Sequence, residues 1–126
     1  MIARITKGIL VATNRSKSVP RSYSRYGREA VAVLGQLIRI HRIERKLGIE
    51  ELATRVGVSR DMMRRIEQGD PRCGIGLVFE AAAIVGVPLF ESDRSRLTTL
   101  LAEQEDKLRL LPKAIHKPRT EVKDDF

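Results

Sequence analysis

The sequence predicts an all-α fold of five helices, and three observations predict it. Residues Leu47 to Gly69, LGIEELATRVGVSRDMMRRIEQG, place their apolar side chains at the one-, three- and four-residue spacings of two short helices joined by a tight turn. The chain is 4% aromatic with no Trp, so its core must be built from Leu, Ile, Val, Ala and Met. Its 126 residues suffice for one five-helix core with tails, but not for a second independent core.

Residues 1–26 read as a basic arm. They carry Arg4, Lys7, Arg15, Lys17, Arg21 and Arg25 with no acidic residue, and TNRSKSVPRSYSRYG is rich in Ser, Pro and Gly. Such a segment buries too little apolar surface to fold alone, so it either lies along phosphates or stays solvated. Within it, ITKGILVAT has the makings of a short strand. The start also bears a superficial likeness to a leader peptide. The apolar run from Gly8 to Ala12 is shorter than the roughly 7 to 15 residues of a signal-peptide core, and no small-x-small cleavage site follows, so a leader is not expected.

A domain over residues 27–91 follows, opening with a long helix from Gly27 to Lys46. Ala30, Leu34, Leu37, Ile38 and His41 trace its apolar stripe, with Arg28, Arg39, Arg45 and Lys46 outside it and His41 as a half-buried packing residue. The second helix spans Glu50 to Val56, with Leu52, Ala53 and Val56 inward, and Gly57 stands where a left-handed residue ends a helix at little cost. Val58 packs and Ser59 caps the third helix. That helix keeps only Met63 and Ile66 as a buried pair and leaves Arg60, Asp61, Met62, Arg64 and Arg65 outside. Ala53 and Gly57 let the two short helices meet closely at a steep angle. This is the geometry of a helix-turn-helix, whose second helix enters the DNA major groove, and a face with three arginines suits an anionic partner.

Gly69-Asp70-Pro71 punctuates the chain before a fourth helix, about Ile75 to Val85, that is apolar on most sides and therefore central, between the helix-turn-helix and a dimer mate. Gly86 and Pro88 mark its end. Residues 92–111 form a fifth, amphipathic helix capped by Ser92 or Asp93, with Leu97, Leu100, Leu101 and Leu108 among acids. Its apolar side serves a partner, a dimer or packing within the domain; the residues leave these open. Residues 112–126, PKAIHKPRTEVKDDF, have the composition of a flexible tail.

The residues EELATRVGVSRDMMRRIEQG resemble the Cro/C1-repressor (XRE) type of helix-turn-helix, in which an ELA-x-x-x-G-V-S core precedes I-E-x-G. The following GDPRCGIGLVFEAAAIVGVPLF is similar to the same stretch in HipB-like antitoxins, the repressor partners of HipA-type kinases. The resemblance begins near Tyr23. It implies a five-helix Cro/C1-repressor-like domain and a homodimer on a palindromic double-stranded DNA operator, acting as a repressor and held by a HipA-like kinase toxin. It also implies a structural pair between Arg42 and Glu67, tying the first helix to the recognition helix. The tail, ending in D-D-F after a basic stretch as in HipB-like relatives, is then a partner-binding segment through Lys113, Arg119, Asp124, Asp125 and Phe126. One departure stands against simple operator binding: the family usually has Gln at the position of Ile49, and Ile cannot donate a bond to phosphate. Backbone N–H groups at that helix start remain available.

Within this reading Ser59 and Arg64 grip phosphates, Arg60, Asp61 and Arg65 read base edges, and Met62 touches a thymine methyl. A net charge of +8 and a pI near 10.2 agree with a polyanionic partner, and no segment approaches the roughly 20 apolar residues of a membrane span. The lone Cys73 forms no internal disulfide and has no neighbour for a metal site, which suits a reducing cytoplasm and nucleoid association. His41 and His116 stand alone, and no catalytic, cofactor or metal spacing is present, so an enzyme is not expected. A competing function is a protein-interaction module that chiefly neutralises a kinase, with weak DNA binding; a free-standing repressor is the third.

Overall fold

A computed structural model describes residues 21–115. The strand considered at residues 5–13, most of the arm, and Arg119, Asp124, Asp125 and Phe126 of the tail lie outside the described residues. Within them are five helices: α1 (Arg25–Glu44), α2 (Ile49–Val56), α3 (Arg60–Glu67), α4 (Ile75–Val85) and α5 (Ser95–Leu110). There is no strand among these residues, only an isolated bridge between Leu89 and Glu91.

Helix α1 starts two residues earlier than the sequence suggests, so Arg25 and Tyr26 belong to it rather than to the arm. The cause is Ser24, whose Oγ accepts from the Gly27 N–H at 3.0 Å and caps the first turn. Helix α2 ends on Gly57 in the left-handed conformation (φ 90°), which glycine adopts without a side-chain clash. Ser59 then caps α3 by accepting from the Met62 N–H at 3.0 Å. At the root of α5, Asp93 rather than Ser92 engages the first turn, taking both the N–H and the hydroxyl of Ser95. Those two bonds hold its carboxyl below the usual range.

The core is small and aliphatic: Ile38 of α1, Leu52 and Ala53 of α2, Met63 and Ile66 of α3, Ala81, Ala82 and Val85 of α4, and Val87 behind them. Helices α1 and α2 each pack against both α3 and α4, which makes a four-helix unit. His41 Nδ1 lies 3.3 Å from the Val85 carbonyl, tying α1 to the end of α4 when that nitrogen carries the proton.

Two faces differ from the sequence expectation. On α1 the inward line centres on Gly35 and Ile38, with Leu34 and His41 half-buried, whereas Ala30 and Leu37 lie on the exposed side. Buried Gly35 is what brings α3 close. A Cβ there would stand 2.6 Å from the Ile66 carbonyl oxygen and 2.9 Å from that of Glu67. Gly69 (φ 77°) makes the reciprocal approach, its missing Cβ falling 2.7 Å from Ala32 Cα. Helix α4 is central only through its C-terminal half; Ile75 is 68% exposed. Helix α5 is apolar along one side yet buries nothing: of its sixteen residues only Leu100 is even half-buried. Its leucine side meets the rest of the described chain only near its start, at Leu97, Leu100 and Leu101.

Candidate nucleic-acid interface

Helix α3 is anchored by Met63 and Ile66, three residues apart, and this fixes which residues face out. Arg60 and Arg64 lie on the solvent side, and the Arg65 side chain stays 44% exposed. Asp61 sits among them, with Oδ1 3.6 Å from Arg64 and Oδ2 3.5 Å from Arg65, while Arg60 is 4.0 Å from Glu50 at the start of α2. At such exposure these pairs hold little energy and release readily. Ser59 accepts one bond at the cap, and its O–H stays free to donate outward.

Met62 departs from the expectation that placed it on the outer face. It is half-buried and packs against the core, as Val58 before the helix does.

Arg42 and Glu67 are brought together behind this face. Arg42 Nε donates to Glu67 Oε2 at 2.6 Å and Nη2 to Oε1 at 3.0 Å, a bidentate pair with side chains only 12% and 5% exposed. Arg42 Nη1 also donates to the Leu47 carbonyl at 2.9 Å. One guanidinium therefore ties together α1, the α1–α2 turn and the C-terminal turn of α3, donating from each of its three nitrogens.

Ile49 is half-buried at the start of α2 and borders a cavity of about 220 Å³ lined also by Arg39, Arg42, Arg64, Glu67 and Gln68. Arg39 and Gln68 are functional candidates that sequence reasoning passed over. The three-residue spacing of Arg39 and Arg42 on α1 was the available signal, since it puts both on one side of the helix. The start of α2 itself has no side-chain cap, so its first backbone N–H groups have no side-chain partner, while Glu50 and Glu51 in its first turn oppose an anion and leave the neighbouring cations to offset them.

Of the remaining residues, Lys113 is exposed beyond α5. The Cys73 thiol is half-buried, and burial pushes it up from its ordinary range, the opposite of an activated nucleophile. Asp70 is held down to about 2 by side-chain and backbone hydrogen bonds from Arg72, which fixes the turn after α3. No cluster of His, Cys, Asp or Glu suited to a metal ion occurs among the described residues, and no described helix is long and apolar enough to cross a membrane.

Two short helices at a left-handed glycine turn, the second anchored by two core residues and bearing arginines outward, define a protein of the helix-turn-helix class. A family model described as a helix-turn-helix domain matches residues 33–97, and the chain belongs to that family. No curated protein and no solved structure matches the chain.

Proposed function

We propose that this chain is a dimeric, sequence-specific DNA-binding repressor of the XRE type. The observation that carries the reading is the mounting of α3: its inner side is sealed by Met63, Ile66 and the Arg42–Glu67 pair, so Arg60, Arg64 and Arg65 are presented on a rigid helix. A major groove accepts such a helix, and a bidentate arginine–guanine pair discriminates by about 1 to 3 kcal/mol. In this reading Arg60, Asp61 and Arg65 read base edges. Arg64 and the Ser59 hydroxyl contact phosphates, joined by Arg39 and Gln68, which supply the donors that Ile49 lacks.

The test is binding to randomised half-sites. Arg60→Ala or Arg65→Ala should each relax base preference at one position, whereas Arg64→Ala should weaken all sequences alike and lower the salt slope by about one unit. Unchanged preference after both of the first two substitutions would show that another face of α3 meets DNA.

A second reading is favoured by the uncovered α5: an antitoxin that neutralises a HipA-like kinase, with Lys113, Arg119, Asp124, Asp125 and Phe126 contacting the kinase and DNA binding secondary. Two prolines and a terminal Phe suit an extended peptide laid into a pocket. Retained operator binding together with lost kinase co-purification, after truncation beyond Leu111, supports this reading. The reverse outcome rejects it.

A further inference from the structure

Helix α1 has a second apolar stripe on the side away from the core. Tyr26, Ala30, Val33, Leu37 and Ile40 follow at spacings of four and three residues with Ile43 beyond, and Val33, Ile40 and Ile43 are about half exposed. Helix α5 repeats that spacing in Leu97, Leu101, Gln104, Leu108 and Leu111, also uncovered. A monomer has no use for two such stripes, because contiguous exposed apolar surface of this extent marks an interaction site.

We propose that each stripe is the partner of the other between two copies of this chain, the α5 of one copy lying along the outer face of α1 of its mate. The root of α5 is pinned to its own α4. Arg94 Nη2 donates to the Ala83 carbonyl at 2.6 Å, and Phe90, adjoining Leu97 and Leu101 in a shallow cavity, meets Phe79 edge to face at 6.1 Å. Phe90 itself is 81% exposed with its backbone in the left-handed region (φ 66°), an arrangement suited to an aromatic anchor for a second molecule. Its neighbour Phe79 also lines the apolar groove between α1 and α4 formed with Ala30, Leu34, Ile75 and Val78. The apolar surface is thus continuous from α1 to the base of α5.

The dimensions agree. At 1.5 Å per residue the α1 stripe from Tyr26 to Ile43 is roughly 25 Å long and the α5 stripe from Leu97 to Leu111 roughly 21 Å. Paired β-branched residues and leucines at this spacing interdigitate as knobs into holes. One helix-to-helix contact falls short of the roughly 800 Å² per partner of a standard interface, but a two-fold dimer makes the contact twice, so each copy contributes both stripes. Charges beside the stripes are mixed: Arg25 and Glu29, paired at 3.2 Å, border the start of the α1 stripe, and Glu105 and Lys107 border the α5 stripe, so two cationic chains can meet without a like-charge seam.

This inference names the dimer interface of the repressor proposed above, and its test needs no DNA. Sedimentation of the full chain should show a dimer. Ile40→Lys on α1 and Leu101→Glu on α5, both at exposed positions, should each give a folded monomer by circular dichroism. An equimolar mixture of the two should sediment as a dimer, since it restores one apolar contact and places Lys against Glu in the other. Val33→Glu mixed with Leu108→Lys repeats the test with the charges exchanged. A monomeric parent, a dimer that survives either substitution alone, or a mixture that stays monomeric in both pairings would overturn the proposal; a dimer that survives Ile40→Lys but not Leu101→Glu would point to α5 against α5. Half-site DNA binding by the monomeric variants keeps the repressor reading separate: its presence with no parent dimer rejects only the interface, and its absence with the dimer intact rejects only the DNA reading.

Discussion

Glu67→Ala is expected to lower stability by about 3 to 5 kcal/mol, because it leaves the Arg42 guanidinium 12% exposed and without its bidentate carboxylate. For a domain of this size that corresponds to a fall in melting temperature of about 12 °C or more. Arg42→Ala should cost as much, since it strands Glu67 and also frees the Leu47 carbonyl. The pair's net contribution is a different quantity. Two charges taken from water must recover their desolvation, and a buried pair replaced by apolar residues of similar volume is often no less stable. The double variant Arg42→Met with Glu67→Leu should therefore melt higher than either alanine variant. Additive losses in the double variant would mean that the two residues act separately, and single variants melting with the parent would remove the structural role altogether. Half-site preference is expected to survive wherever the protein is folded, because neither residue reaches the outer face of α3.

Gly35→Ala should also destabilise, by about 1 to 3 kcal/mol or more, although helix propensity alone predicts a gain of about 1 kcal/mol at an interior position. The two effects have opposite signs, and distance decides between them. The new methyl would meet two backbone carbonyl oxygens at 2.6 and 2.9 Å and the Gly69 nitrogen at 3.0 Å. Backbone atoms at the end of a packed helix cannot swing aside as a long side chain can. The strain falls on the α1–α3 contact, where the Arg42–Glu67 pair also sits, so α3 must be displaced or tilted to admit a single carbon. Gly76→Ala within α4 is the control, with nothing within 4 Å of the added carbon, and its melting point should stay at or slightly above that of the parent. A Gly35→Ala protein as stable as the parent would show that the helices part freely there.

Much of the fold was legible because its punctuation is local chemistry. Gly57 and Ser59 mark the turn between α2 and α3 by the conformations and hydrogen bonds that only such residues supply, and Met63 and Ile66 identify the inner side of α3 by spacing alone. What was not legible depends on the distance between elements. Gly35 within a helix reads only as a weak helix former until α3 is seen against it. Arg39 and Gln68 come from the first helix and the loop after the third, and nothing in their sequence separation brings them to one cavity with Ile49 and Arg64. On α1, two apolar stripes overlap in sequence, so periodicity mixed Ala30 and Leu37 of the outer stripe with Ile38 of the inner one. Spacing that lets Met63 and Ile66 alone define the inner side puts Met62 outward, whereas Met62 packs half-buried against the core.

The absence of any packed face on α5 has a kinetic side. A lone helix of sixteen residues is marginal in water, since most helical stability in proteins comes from tertiary packing. In any copy whose α5 no mate covers, its backbone amides are therefore expected to exchange with solvent deuterium through local fraying, far faster than those of α1 to α4, which open only with the core. Within the described residues, the four-helix unit and α5 would then open at separate free energies.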